Sequence, residues 1–210
     1  MPVTWYFDFV SPFAYLQWPK VRALAAQRPV LLRPILFAGV LDRLGLCGPA
    51  EIPGKRAFVY RFVLWRARQT GLPLTFPPSH PFNPLAALRL CIAAGSTPEA
   101  VDAIFDWIWR QGRPADDARQ LEPVATRLGI GDAAGAIADP AVKAQLKANF
   151  EAAMDEGVFG VPTLSLGEGR LFWGDDAHDF ALACLRDPSV LDEPDMRRVA
   201  QLPIGARRTP

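Results

Sequence analysis

Strand-like segments stand only toward the two ends of this chain, and the long middle carries helical spacing. Residues Val3–Val10 read VTWYFDFV and Pro29–Phe37 read PVLLRPILF, runs whose aromatic and β-branched side chains suit a pleated, half-buried surface. After Gly157 the signal returns as Thr163-Leu164-Ser165-Leu166 and Arg170-Leu171-Phe172-Trp173, divided by Gly167-Glu168-Gly169, the pattern of a hairpin. From Ala38 to Glu156 the apolar residues follow helical offsets instead. Thr97-Pro98-Glu99 starts one helix, in which Val101, Ile104, Phe105, Ile108 and Trp109 share a face. Asp139-Pro140 starts another, with Val142, Leu146, Phe150 and Met154 as its apolar stripe, Lys143 and Lys147 outside and Gly157 at the C-cap.

Ser11-Pro12 stops the first strand and opens a helix that runs to about Gln27, because serine caps helix N-termini and proline suits the first helical position. Pro19 lies inside that helix and predicts a kink or an early end. A last helix is predicted from about Asp175 to Leu185. The order is β-α-β, a helical block of about 120 residues by pattern, then β-β-α. It fits an α/β chain with a thioredoxin-like fold carrying an inserted all-α helical domain. The thioredoxin-like part is 1–37 with 157–186, the insertion 38–156, and a tail of weak periodicity, read as partly mobile, follows at 187–210.

A chain of 210 residues, half of them hydrophobic, buries enough surface to fold without a metal or disulfide. Its 23 basic and 22 acidic side chains leave a formal charge of +1, which gives no field for steering nucleic acid. No apolar run is long enough for a membrane span, and no signal-peptide pattern opens the chain, so the expected compartment is the cytoplasm. Cys47, Cys91 and Cys184 form neither a disulfide framework nor a zinc pattern and read as buried small hydrophobes. His80 and His178, the two histidines, have no ligand partners at useful spacing, so no metal site is expected. Gly129-Ile130-Gly131 follows no strand and is no dinucleotide fingerprint.

Ser11 ends a strand at a helix N-terminus, where unpaired N–H groups and the positive end of the dipole favour an anion. Alone it reads as an ordinary N-cap. The wider constellation is Phe7-Asp8-Phe9-Val10-Ser11-Pro12-Phe13-Ala14-Tyr15-Leu16, Lys55 with Phe58 and Tyr60, Pro81-Phe82-Asn83-Pro84, Gly160-Val161-Pro162-Thr163 and Phe172-Trp173-Gly174-Asp175-Asp176. In that order it resembles the 2-hydroxychromene-2-carboxylate isomerases, which stand with the kappa-class glutathione transferases and DsbA-like proteins. The resemblance implies glutathione as cofactor, a small aromatic substrate and a homodimer. Its implied activity interconverts 2-hydroxychromene-2-carboxylate and trans-o-hydroxybenzylidenepyruvate, as in naphthalene catabolism. A kappa-like transferase, or a glutathione-binding module without activity, is the alternative.

Redox members carry Cys-Pro-x-Cys where this chain reads Ser11-Pro12-Phe13-Ala14, so disulfide exchange by that route is excluded. The resemblance implies instead that Ser11 is catalytic, its hydroxyl donating to the sulfur of glutathione. It implies that Val161 and the cis-proline Pro162 face the cysteinyl part, as an added strand does. Asp175 and Asp176 align with a pair that binds the γ-glutamyl end, though acids opening a helix also read as capping. Lys55 aligns with a lysine that meets a glutathione carboxylate, against the reading of a solvated lysine. Asn83 is placed in the substrate pocket, although turn chemistry explains it nearly as well. Three positions depart from the family pattern. Phe62 stands where many relatives have an aspartate that reaches glutathione in the partner subunit, Ala177 where they often have arginine, and no asparagine precedes Lys55 between Ala38 and Gly54.

Overall fold

The structure, a computed structural model, describes residues 3–206. β1 (Val3–Phe7) is central in a four-stranded sheet ordered β2-β1-β3-β4, where β2 is Val30–Pro34, β3 Thr163–Ser165 and β4 Leu171–Trp173. β1 and β2 run parallel, so a crossover must join them, and α1 (Pro12–Ala25) supplies it. β3 runs antiparallel to both β1 and β4, pairing Tyr6 with Thr163 and Thr163 with Trp173. Strands from the two ends of the chain therefore close one sheet around the helical middle.

Successive strand residues face opposite sides, and β1 is buried on both. Trp5 and Phe7 join Trp18 of α1 and Phe105 in the main core, with Trp5 stacked on Phe7 at 4.3 Å and on Trp18 at 5.4 Å. Tyr6 points the other way, toward Ile35, Val40, Ala153 and Val158. This two-sided burial explains the unbroken apolar run of the first strand.

The middle of the chain is helical, as its spacing predicts: α2 (Phe37–Leu44), α3 (Pro53–Gln69), α4 (Leu85–Ala93), α5 (Pro98–Phe105), α6 (Ala118–Arg127), α7 (Ala133–Ala138) and α8 (Pro140–Asp155). A π-helical turn, Asp106–Arg110, prolongs α5. Val101, Ile104, Phe105, Ile108 and Trp109 are all buried, while in α8 the fully buried residues are Leu146, Asn149 and Ala153. α3 lies on α1 through Phe13, Leu16, Val59, Val63 and Ala67.

Three local expectations are corrected: an early end of the first helix at Pro19, the start of the last helix at Asp175 and the burial of Cys47. α1 continues through Pro19; Trp18 and Val21 on either side are buried, and their packing outweighs a local cost of about 3 kcal/mol. The last helix, α9 (His178–Arg186), begins beyond Asp175 and Asp176, because Asp175 is drawn into a tertiary ion pair. Cys47 is exposed, whereas Cys91 and Cys184 are buried. The tail holds a 3-10 turn, Pro188–Asp192, and α10 (Pro194–Ala200), anchored where Val190 and Leu191 pack on the main core; 207–210 lie outside the described residues.

Candidate active site

Three segments converge at one end of the sheet. β1 ends at Phe7 and leads into Asp8–Ser11; its antiparallel neighbour begins at Thr163, preceded by Val161 and Pro162; β4 ends at Trp173, followed by Gly174–Asp176. Register alone brings Ser11, the proline loop and the aspartate pair to the same end of the sheet.

The Asp8–Ser11 junction is anchored at nearly every polar group. The Asp8 carboxylate accepts from Val10 N at 3.0 Å and Phe37 N at 2.9 Å, and its carbonyl accepts from Ser11 N at 3.1 Å. Trp109 Nε1 donates to Phe9 O at 2.8 Å. His80 Nε2 lies 2.7 Å from Val10 O; a carbonyl only accepts, so Nε2 carries the hydrogen. Tyr60 Oη is 2.6 Å from His80 Nδ1 and 2.8 Å from His80 O. Side chains from the middle of the chain thus hold the strand-to-helix junction of the sheet. Burial pushes the Asp8 carboxyl up to about 7, against the lowering effect of its two N–H donors, and burial lowers His80.

Ser11 is buried at 7% exposure and caps α1, its Oγ accepting from Ala14 N at 3.3 Å. That bond occupies a lone pair. The hydroxyl hydrogen remains to be donated, and it stands where the helix dipole favours negative charge.

Val161–Pro162 is cis. Gly174 N donates to Pro162 O at 2.9 Å, and Gly174 O accepts from Gln17 Nε2 at 3.2 Å. The fully buried Gln17 in turn accepts from Trp5 Nε1 at 2.7 Å. One chain of bonds therefore links the core of β1, helix α1, the aspartate segment and the proline loop. Phe159 and Trp173, both exposed, meet edge to face at 5.6 Å beside this loop.

Asp175 is 3% exposed and takes both terminal nitrogens of Arg66, Nη1 at 2.8 Å and Nη2 at 2.7 Å. Burial raises its carboxyl, and the Arg66 guanidinium opposes that rise. Asp176 is exposed. Lys55 stands exposed on the first turn of α3, and Asn83 forms a turn, its Oδ1 accepting from Leu85 N at 3.1 Å. At the departures, Phe62 stacks between Phe58 and Trp65 with Phe13 tilted against it, and Ala177 precedes α9 without a side-chain cap.

The structure thus brings Ser11, Val161, Pro162, Asp175 and Asp176 to one end of the sheet and leaves Lys55 and Asn83 on the helical insertion. Sequence reasoning missed Gln17, Arg66, His80 and Trp109, which act through contacts distant in the chain. The only local hint was a polar Gln17 on a helix otherwise apolar inward. Two adjoining clefts of about 530 and 380 Å³ are lined by Arg22, Asp102, Asp106 and Arg110. Their charges pair among themselves, and neither cleft reaches Ser11.

A thioredoxin-type sheet, a capped junction without sulfur and a cis-proline loop define the class, and comparison with known proteins agrees. The DsbA-like thioredoxin domain family matches residues 2–185. A 2-hydroxychromene-2-carboxylate isomerase of Pseudomonas putida is 30% identical over 189 residues, which are 84% of this chain and 90% of that protein. Glutathione S-transferase kappa 2 of Caenorhabditis elegans is 24% identical over 184 residues, 80% of this chain and 82% of that protein. A solved 2-hydroxychromene-2-carboxylate isomerase structure superposes with TM-score 0.76 at 25% identity, covering 93% of this chain and 99% of that one. The chain belongs to the DsbA-like thioredoxin family, in the group of the 2-hydroxychromene-2-carboxylate isomerases and kappa-class glutathione transferases. The family and fold expected from the sequence are the ones found.

Proposed function

We propose that the protein is a glutathione-dependent isomerase that interconverts 2-hydroxychromene-2-carboxylate and trans-o-hydroxybenzylidenepyruvate. The observation that carries this reading is Ser11: a hydroxyl with its hydrogen still to donate, at a helix N-terminus, where the chain has no sulfur. The residues fit glutathione. Ser11 faces the thiol, Val161 and Pro162 present the end of a strand to the cysteinyl backbone, and the open carboxylate of Asp176 suits the γ-glutamyl ammonium group. Lys55 is assigned to a carboxylate of the peptide.

Glutathione, held by Ser11, Val161, Pro162 and Asp176, would supply a thiolate for reversible conjugate addition to the substrate, without being consumed. The chain's part is to make the thiolate available. A helix N-terminus stabilises an anion by about 0.3–1 kcal/mol, up to ~2 when partly buried, and a charge-assisted hydrogen bond adds about 1.5–3. Together these lower a thiol pKa by roughly 1.5–3 units, enough to ionise a thiol that starts near ~8.5 at neutral pH. Asp8, Trp109 and His80 fix the backbone that aims the hydroxyl. The ring of Phe13, two residues after Ser11 and 6.5 Å from that of Phe62, offers an aromatic substrate an apolar surface.

A kappa-like transferase would use the same thiolate and release a stable conjugate. The similarity to the kappa-class relative supports it as the second reading. We assign a homodimer as the working form; the exposed, stacked rings of Phe58 and Trp65 on α3 supply an apolar face for it.

Incubation with synthetic 2-hydroxychromene-2-carboxylate, with and without glutathione, decides the matter by ultraviolet spectrum and glutathione assay. Interconversion that needs glutathione and does not consume it is the expected result. Loss of glutathione into a conjugate selects the transferase, and conversion without glutathione overturns both.

A further inference from the structure

Asp175 cannot offer its carboxylate to a ligand, because both oxygens are engaged by Arg66 and the side chain is 4% exposed. The pair has a different use. A guanidinium carries five N–H donors in a rigid fork; the bond to Asp175 takes one on each terminal nitrogen, and the others remain. Asp175 fixes the plane of the fork, and the Phe62 ring, 5.7 Å from Cζ, lies against one face of it. At 22% side-chain exposure, Arg66 is open along an edge. Its neighbour through Asp175 is Asp176, exposed and outside every ion pair among the described residues. The carboxylate that holds the cation and a carboxylate outside any ion pair are thus consecutive, on the segment tied to the proline loop by Gly174.

We propose that Arg66, held by Asp175, binds the α-carboxylate of the γ-glutamyl end of glutathione, beside the Asp176 carboxylate already assigned to the ammonium group, so that the two read the zwitterion as a unit. This rests on the glutathione reading above. Carboxylate on guanidinium is the geometry in which arginine outperforms lysine. A buried ion pair that served only to clamp α3 to the sheet would be a poor device, since desolvation consumes most of its Coulombic gain.

The test compares binding of glutathione, glutaryl-cysteinylglycine, which lacks the ammonium, and 4-aminobutyryl-cysteinylglycine, which lacks the α-carboxylate, by calorimetry on the full chain. Arg66→Gln alone strands a buried carboxylate, so the informative variant is Arg66→Gln with Asp175→Asn, its fold checked by circular dichroism and melting temperature. It is expected to weaken glutathione and the glutaryl peptide roughly ten- to hundredfold and to leave the 4-aminobutyryl peptide within about twofold of the parent. Asp176→Asn is expected to give the mirror pattern. Equal weakening of all three peptides, or none, in a folded double variant makes Arg66 a structural clamp and overturns the proposal while leaving the glutathione reading intact. Failure of the unaltered protein to bind any of the three overturns both.

Discussion

Asp8 shows how a single side chain can set a pH dependence without touching substrate. Its carboxyl titrates at about 7 in the folded chain and near 3.8 when unfolded. Between those values the folded state holds the extra proton, so stability falls as pH rises from about 4 to about 7 and stays lower above. Denaturant unfolding followed from pH 4 to 7.5 is expected to show this decline in the parent and not in Asp8→Asn, beyond a constant offset. Parallel profiles would remove Asp8 as the source. His80 and His178, both lowered by burial, act with the opposite slope and cancel in the comparison. At this scale Ser11 was legible because capping is a local signal, serine before proline. Arg66 was not: its partner is 109 positions away, and no local pattern on α3 sets it apart from Arg56, Arg61 and Arg68.

At the scale of elements, the loops matter more than the helices. The turn after β4 depends on Gly174, whose φ is +97°; a Cβ there would lie 2.5 Å from Asp176 Oδ1. Gly174→Ala is therefore expected to cost about 1–2 kcal/mol of stability from backbone strain and to displace the Asp176 carboxylate. Calorimetry should then show glutathione binding weakened roughly tenfold, the equivalent of ~1.4 kcal/mol. Unchanged affinity in the variant would separate Asp176 from the ligand. The strands and the hairpin could be read in the sequence because alternation and turn glycines are short-range signals. The continuation of α1 through Pro19 could not, since it is decided by what Trp18 and Val21 pack against. The start of α9 was missed for the same reason: Asp175 looks like a cap, and only the fold shows Arg66 opposite it.

For the whole molecule, the defining arrangement is a sheet assembled from both ends of the chain around an insertion whose side chains reach back to it. Trp109 and His80 come from that insertion, and they hold the carbonyls on which the Ser11 geometry depends. The order of strand and helix signals conveyed the architecture, because strands separated in sequence must still find partners. It could not convey which insertion residues meet the junction, which tertiary packing decides. The central claim is that Ser11 and the α1 N-terminus hold glutathione as thiolate. Titration of the ultraviolet thiolate absorbance of enzyme-bound glutathione, in the parent and in Ser11→Ala, tests it most directly. The account predicts a bound thiol pKa roughly 1.5–3 units below the free peptide's in the parent and a return of about 1–2 units in the variant. An equal pKa in the two proteins would contradict it.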